Sequence, residues 1–130
     1  MQKKVINPWT WQEQLSYVQA VEVTESKGTL YCAGQAAVHP DGTSSNADMR
    51  TQLQLAIENL ETVITQAGYE CGNIVRLTVY TTSSDEFISS CFDIFRSFVA
   101  KHGMKQVVTL MQVVALFETL NVELEATVVK

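Results

Sequence analysis

VVTLMQVVAL (residues 107–116) and NVELEATVVK (residues 121–130) decide the fold of this chain. In the first stretch apolar side chains occupy both alternate sets, because Val107, Met111 and Val113 face one way and Val108 and Leu110 face the other. A strand that is apolar on both faces needs cover on both sides. We therefore predict a buried strand over residues 107–116.

The second stretch alternates between apolar and polar side chains. Val122 and Leu124 begin an apolar face, whereas Glu123 and Glu125 lie on the opposite face, two residues apart. No Lys or Arg occurs between residues 106 and 129. A carboxylate in such a place either faces solvent or has a function, and we take Glu123 as the stronger candidate.

The rest of the chain supplies three further strands and two helices. Strands at residues 17–25 and 29–37 flank a turn at Lys27-Gly28 and form a hairpin in the simplest interpretation. Helical spacing runs from about Asn46 to Gly68, and a β-branched strand follows at 74–82. Ser83 and Glu86 form a capping box that begins a second helix, which Gly103 ends.

The resulting order, β-β-α-β-α-β-β, predicts an α+β subunit with one sheet and two helices on one face of it. The other face of the sheet then lacks cover. An ordinary monomer is the simpler alternative, but a symmetric homo-oligomer explains better why both faces of the 107–116 strand are apolar.

Composition bounds the class of protein. The 130 residues, 46% of them hydrophobic, fit a single domain over residues 1–130. A net charge of -5 with only nine Lys and Arg disfavours a nucleic-acid partner. Three cysteines without a CxxC spacing argue against disulfides and against a metal site. Without an apolar leader or a long apolar run, we expect a cytoplasmic protein that has no contact with a membrane.

Several segments, in order and at matching spacing, resemble the RidA (YjgF) family, also called the endoribonuclease L-PSP family. The resemblance covers about Ile6 to Val129 and is carried by Tyr17-Val18-Gln19-Ala20-Val21, Cys32-Ala33-Gly34-Gln35, Gln54 to Leu60, Ala67-Gly68, Ile74 to Tyr80, Phe87 and Val122 to Ala126. It implies a chorismate-mutase-like subunit, a mixed sheet, a homotrimer and a ligand cleft at each subunit interface. It implies a small-metabolite ligand and no cofactor.

The resemblance also implies a set of site residues. Members that hydrolyse reactive imines and enamines hold the substrate carboxylate with an arginine, whose position in this chain is Val108. An aliphatic side chain cannot make the bidentate pair of a guanidinium with a carboxylate. Tyr17, Gly34 and Glu123 match the family pattern, and Glu123 is the expected catalytic residue, which orients or activates a water.

Other positions depart from the family pattern. Ala33 stands where a serine is common, Cys91 where the second helix often has an asparagine, and Leu116-Phe117 where Leu-Pro is usual. We expect Cys91, Val108 and the adjacent Thr109 to line the ligand site together with Tyr17 and Gly34.

Several alternatives stay open on the sequence. Tyr17 has a ligand role or an interface role with equal weight, and Lys105 is either a substitute for the missing cation or a solvated side chain. Trp9 and Trp11 cover the cleft mouth or a neighbouring subunit, or more simply anchor the amino-terminal segment to the core. We expect the protein to bind a metabolite that is less anionic than an amino-acid-derived imine, and to hydrolyse imines of altered structure. The alternative is a non-catalytic regulatory trimer that only binds its ligand. RNA cleavage is a poor fit to the negative net charge.

Overall fold

The computed structural model of the chain describes all residues from Met1 to Lys130, and it has an α+β fold. Seven strands are present: β1 Gln2–Ile6, β2 Ala20–Thr24, β3 Thr29–Tyr31, β4 Gln35–Ala36, β5 Ile74–Thr81, β6 Val107–Gln112 and β7 Val122–Val129. Helix α1 spans Met49–Gln66. Helix α2 consists of Ser84–Glu86, a π-helical turn Phe87–Cys91 and Phe92–His102, with short 3-10 helices at Glu13–Leu15 and Cys71–Asn73.

The main sheet is mixed, in the order β3-β7-β5-β6, with β4 paired to another part of β7. Strands β5 and β6 are parallel, while β3, β4 and β5 all run antiparallel to β7. This confirms the predicted α+β class with two helices and a mixed sheet.

The hairpin predicted for residues 17–37 is wrong. Strand β2 pairs with the amino-terminal strand β1 in a separate two-stranded sheet, with Val21 opposite Val5, whereas β3 pairs with β7. Sequence signals favour the nearest partner, but β2 pairs with the strand before it rather than the strand after it, and β3 finds its hydrogen bonds in β7 near the end of the chain. The strand β1 itself was not predicted.

The predicted helix boundaries follow from their caps. The Asp48 side chain accepts a hydrogen bond from the Thr51 amide at the start of α1, and Gly68 beyond its end has a φ of 79°. The Ser83 hydroxyl accepts from the Glu86 amide, as the capping box predicted, and Gly103 ends α2 with a φ of 59°. These local signals needed no tertiary partner.

The core lies between the sheet and the two helices. The helix-facing side of β7 and β5 carries buried apolar side chains that form one cluster with α1 and α2, among them Leu77, Val79, Leu124, Leu53 and Leu60. Helices therefore cover one face of the sheet, as predicted. No helix of the chain is long and apolar enough to cross a membrane.

The observed strand β6 is shorter than the strand predicted over residues 107–116. It ends at Gln112, which pairs with Thr81 at the end of β5. The Val113 amide still donates to the Thr81 carbonyl at 2.9 Å, and residues 114–116 then leave the sheet. The uncovered face is mostly polar rather than apolar, because Thr78, Tyr80, Glu123 and Glu125 share it with Met111.

Candidate functional site

Glu123 is the acidic residue that the fold places most distinctively. It lies in β7 opposite Ala36 of β4 and opposite Tyr80 of β5, on the face of the sheet away from the helices. Burial, and to a smaller extent the negative charge of Glu125, raises the pKa of the Glu123 carboxyl above its ordinary range. The ion pairs of the chain involve Asp93 and Glu61, so Glu123 has no cation partner within it.

Gly34 makes room for this carboxylate. A Cβ atom at Gly34 would lie 2.7 Å from both Cδ and Oε1 of Glu123. The amide of Asn59 on α1 donates to the carbonyls of Ala36 and Val38, each at 2.9 Å, and so holds the segment that follows Gly34. Gly34 and Glu123 therefore share one cleft of about 430 Å³, which we call the glutamate cleft; its other lining residues are Gln35, Ala36, Val38, Asn59, Thr62, Val63, Phe117 and Leu120.

Tyr17 and Val108 lie together elsewhere, in an apolar cavity of about 210 Å³. Its lining residues are all hydrophobic: Leu15, Tyr17, Val79, Phe87, Ile88, Phe92, Phe95, Val108 and Leu110. Two of them, Phe87 and Ile88, come from the π-helical turn of α2. Apart from the Tyr17 hydroxyl, the lining side chains offer no polar group to a ligand.

The buried Gln106 positions Tyr17. Its side-chain amide donates to the Ser16 carbonyl at 2.9 Å, and its backbone carbonyl accepts from the Val18 amide at 3.0 Å. Ser16 has a φ of 61°, so the chain turns sharply just before Tyr17. The two residues that flank Tyr17 are thereby fixed to the segment that begins β6.

Val108 and Glu123 lie on opposite faces of the sheet. Val108 is opposite Leu77 in the parallel pair β5-β6, and both pack on the helix side, whereas Glu123 is opposite Tyr80 on the uncovered side. Thr109 follows Val108 and therefore faces the uncovered side, opposite Thr78. Tyr17 and Val108 are thus separated from Gly34 and Glu123 by the sheet. Thr109 lines a further cleft of about 440 Å³ together with Val108 and Arg76.

The structure does not support a ligand contact for Cys91. Its thiol is fully buried in the core cluster and lines neither the apolar cavity nor the glutamate cleft. Cys91 is the last residue of the π-helical turn. Burial raises the pKa of this thiol, which agrees with a residue of the core.

Another cleft, of about 380 Å³, holds the cations nearest to Tyr17. Lys105 and Arg96 line it together with Glu13 and Tyr17. The Arg96 guanidinium donates to the Gln14 carbonyl and lies 4.7 Å from the centre of the Phe92 ring. Lys105 is therefore near Tyr17 but does not line the apolar cavity that contains Val108.

Several lining residues were missed on the sequence. None of Leu15, Phe92, Phe95, Arg96 and Gln106 was singled out from the sequence as a site residue. The helical spacing of the aromatic residues in α2 predicts burial, but it does not show that one edge of that apolar face opens into a cavity.

Comparisons with known proteins show which family the chain matches. The model of the family described as Endoribonuclease L-PSP matches residues 11–130. TdcF of Escherichia coli K12, named as a candidate reactive intermediate deaminase, is 27% identical over 115 residues, which are 88% of this chain and 86% of TdcF. The 2-iminobutanoate/2-iminopropanoate deaminase of the same organism is 24% identical over 116 residues, with 88% and 87% covered.

Solved structures agree in fold. YyfB of Yersinia pestis, described as a conserved Rid family protein, superposes with a TM-score of 0.87 at 29% identity over 100% of both chains. The structure of Escherichia coli TdcF with bound serine gives a TM-score of 0.70 at 28% identity, covering 88% of this chain and 87% of TdcF.

Proposed function

We propose that this chain, which belongs to the endoribonuclease L-PSP (RidA/YjgF) family, hydrolyses a small uncharged imine or enamine in a cleft that a second subunit completes. Relatives that are named deaminases support the reaction class, and the serine bound to TdcF supports a small-molecule ligand. One observation carries the proposal most directly: Val108 and Glu123 lie on opposite faces of the sheet of one subunit.

The division of the site requires a neighbouring copy. A ligand in the apolar cavity beside Tyr17 cannot reach Glu123 of the same subunit through the sheet. If the glutamate cleft of one subunit packs against the apolar cavity of the next, both groups meet one ligand. Phe117 at the glutamate cleft is 71% exposed and Val114 is fully exposed, and such apolar side chains favour a subunit contact. Three copies arranged in a ring give a homotrimer with three equivalent clefts.

The apolar lining favours an uncharged ligand. A carboxylate placed beside Val108 would lose its hydration without gaining an ion pair, and the effective penalty for such a charge is several kcal/mol. Each 1.4 kcal/mol is a factor of about ten in affinity. An imine that carries a carboxylate at this position should therefore bind at least about a hundredfold less well than a neutral one of similar shape.

Glu123 is suited to move protons during hydrolysis. Water adds to the imine carbon while Glu123 takes one of its protons and passes it to the imine nitrogen, which gives a carbinolamine. The proton of the carbinolamine hydroxyl then passes through Glu123 to the nitrogen as the C–N bond breaks. The products are ammonia and a carbonyl compound, so the reaction consumes one water and needs no oxidant. Burial raises the pKa of the Glu123 carboxyl above its ordinary value, which makes its carboxylate a stronger proton acceptor.

The test compares two freshly generated imines. An amine oxidase acting on isobutylamine supplies an uncharged imine, and an amino acid oxidase acting on 2-aminobutyrate supplies 2-iminobutyrate. We expect the protein to accelerate ammonia release from the isobutylamine-derived imine well above the spontaneous rate. It should have little effect on 2-iminobutyrate. Glu123→Gln should abolish the acceleration. Turnover of 2-iminobutyrate at the rate of the Escherichia coli deaminase would contradict the proposal.

The assembly has its own test. Sedimentation equilibrium should give a mass about three times that of the 14.5 kDa chain. A monomeric mass would remove the shared cleft, since Glu123 and Val108 of one subunit face away from each other.

A second candidate function is ligand binding without catalysis. The specific observation in its favour is the apolar cavity, which has the Tyr17 hydroxyl as its one polar group. In that case a ligand binds with equal affinity to the unaltered protein and to Glu123→Gln, and neither protein accelerates imine hydrolysis.

A further inference from the structure

Two tryptophans lie side by side on the surface. Trp9 and Trp11 are 58% and 52% exposed, so they do not anchor the amino-terminal segment in the core, as the simpler sequence interpretation held. Their rings are stacked with centroids 6.5 Å apart and an angle of 26° between planes. Single exposed apolar side chains are ordinary, but a pair of exposed, mutually ordered indoles marks a contact surface.

The pair continues to the apolar cavity through Tyr17. The Trp11 ring meets the Tyr17 ring edge to face, with centroids 6.3 Å apart, and Tyr17 lines the cavity beside Val108. We call Trp9, Trp11 and Tyr17 the aromatic ladder. It leads from the exposed Trp9 and Trp11 to Tyr17, which lines the cavity.

The cavity has the size and lining for an aromatic ring. Its volume is about 210 Å³, and an apolar cavity of about 150 Å³ is known to accept benzene. Phe87, Phe92 and Phe95 contribute rings to the wall, and the two phenylalanines Phe92 and Phe95 are themselves stacked at 5.6 Å. A substituted benzene ring would therefore fit against side chains that favour flat apolar partners.

Charge recognition at this site is poor. No charged side chain lines the cavity, and the Arg96 guanidinium is engaged by the Gln14 carbonyl and the Phe92 ring. The ladder does not enclose a cation either, because its two indoles are nearly parallel to each other rather than arranged around a central point. A flat, uncharged group fits both the cavity and the ladder.

We propose that the ligand of this chain carries an uncharged aromatic ring, which enters the apolar cavity beside Tyr17 while Trp11 and Trp9 cover its outer end. This inference rests on the proposed function and names its substrate class: an imine of the arylalkyl type, or the aromatic aldehyde that its hydrolysis releases.

The experiment uses three stable probes and the two indole N–H signals of the 15N-labelled full-length protein, which has only two tryptophans. Phenylacetamide is neutral and aromatic, isobutyramide is neutral and aliphatic, and phenylacetate is aromatic and anionic. We expect phenylacetamide to shift the Trp11 indole signal and to bind about tenfold more tightly than isobutyramide. Phenylacetamide should bind at least about a hundredfold more tightly than phenylacetate, whose carboxylate loses its hydration beside Val108. Trp11→Ala should weaken phenylacetamide binding by about tenfold, while Trp11→Phe, which keeps a ring, should stay within about threefold.

The other outcomes separate the two proposals. One outcome is that isobutyramide binds as tightly as phenylacetamide, with both affinities unchanged in Trp11→Ala. In that case the inference of an aromatic ligand is wrong, although an uncharged ligand remains supported. If phenylacetate binds best, or if neither amide binds, both proposals fail. If Trp11→Ala leaves affinity unchanged but lowers the sedimentation mass, the ladder is a subunit contact and the inference is overturned. An unchanged amide spectrum away from residues 9–17 shows that the variant is folded.

Discussion

Gly34 leaves vacant the space beside the Glu123 carboxylate, since a Cβ atom there would lie 2.7 Å from Glu123 Oε1 and 3.1 Å from its Cγ. Contacts that short do not occur between real side chains, so any residue larger than glycine forces the carboxylate to move. The glycine in the segment before β4 and the glutamate in β7 are therefore one unit of the candidate site.

Gly34→Ala should consequently lower hydrolysis while leaving most of the stability. Displacement of a reacting group by about 1 Å can cost roughly a hundredfold in rate, and the carboxylate has open space on the cleft side into which it can move. Rates with the isobutylamine-derived imine and urea unfolding curves measure the two effects. Gly42→Ala is a control for stability alone, because its φ of 89° strains alanine although no atom lies within 4 Å. Full hydrolytic activity of Gly34→Ala would show that Gly34 is not part of the active site.

Glu123→Gln should stabilise the subunit at neutral pH and not at acidic pH. The folded state raises the pKa of this carboxyl above the unfolded value of about 4.3, so the folded state binds the proton more tightly. The native protein therefore loses stability as the pH rises from the unfolded pKa through the folded one. Urea unfolding at pH 7.5 and at pH 3.5 should show a gain for the variant only at the higher pH. If the variant gains the same free energy of unfolding at both pH values, ionisation of Glu123 does not destabilise the folded state.

Val108→Arg should shift ligand preference toward carboxylates. A guanidinium at the wall of the apolar cavity can form a bidentate, charge-assisted pair with a ligand carboxylate. Binding of phenylacetate, measured by calorimetry, should improve by about tenfold or more. Val108→Gln supplies length and polarity without charge and should give no such gain. Equal affinity in the two variants would show that the side chain at 108 does not reach the ligand.

Gln106→Leu should destabilise the subunit and loosen Tyr17. The Ser16 carbonyl would lose its amide donor in a part-buried place, which costs about 1–3 kcal/mol. Chemical denaturation measures the decrease in the free energy of unfolding. The affinity for phenylacetamide should also decrease, because Tyr17 is held less firmly. Gln54→Leu, at an exposed position of α1, is the matched control and should change neither quantity appreciably. If Gln106→Leu unfolds as the unaltered protein does, the bond to Ser16 carries little free energy.

The three thiols should react slowly in the folded protein. Cys32, Cys71 and Cys91 are all buried, and burial raises the pKa of the Cys71 thiol to about 11. A disulfide reagent such as dithionitrobenzoate at pH 8 should therefore modify none of them within minutes, and all of them once denaturant is added. Rapid modification of Cys91 in the native state would restore it as a site residue.

The sequence by itself determined the features that depend on neighbours a few residues away. The capping box at Ser83 and Glu86, the glycines that follow both helices, and the alternation of Glu123 and Glu125 with buried apolar residues all arise from local backbone and side-chain geometry. The family was also readable, because its segments keep their order and spacing along the chain.

Tertiary structure alone decided which segments meet. Strand β2 pairs with β1 rather than with β3 because hydrogen-bonding edges are satisfied by position in space and not by distance along the chain. The register of β6 against β5 sets Val108 on the helix side, while the pairing of β5 with β7 sets Glu123 on the other. Tyr17 joins an apolar cavity because Gln106, which is ninety residues from Ser16, fixes the residues on either side of Tyr17.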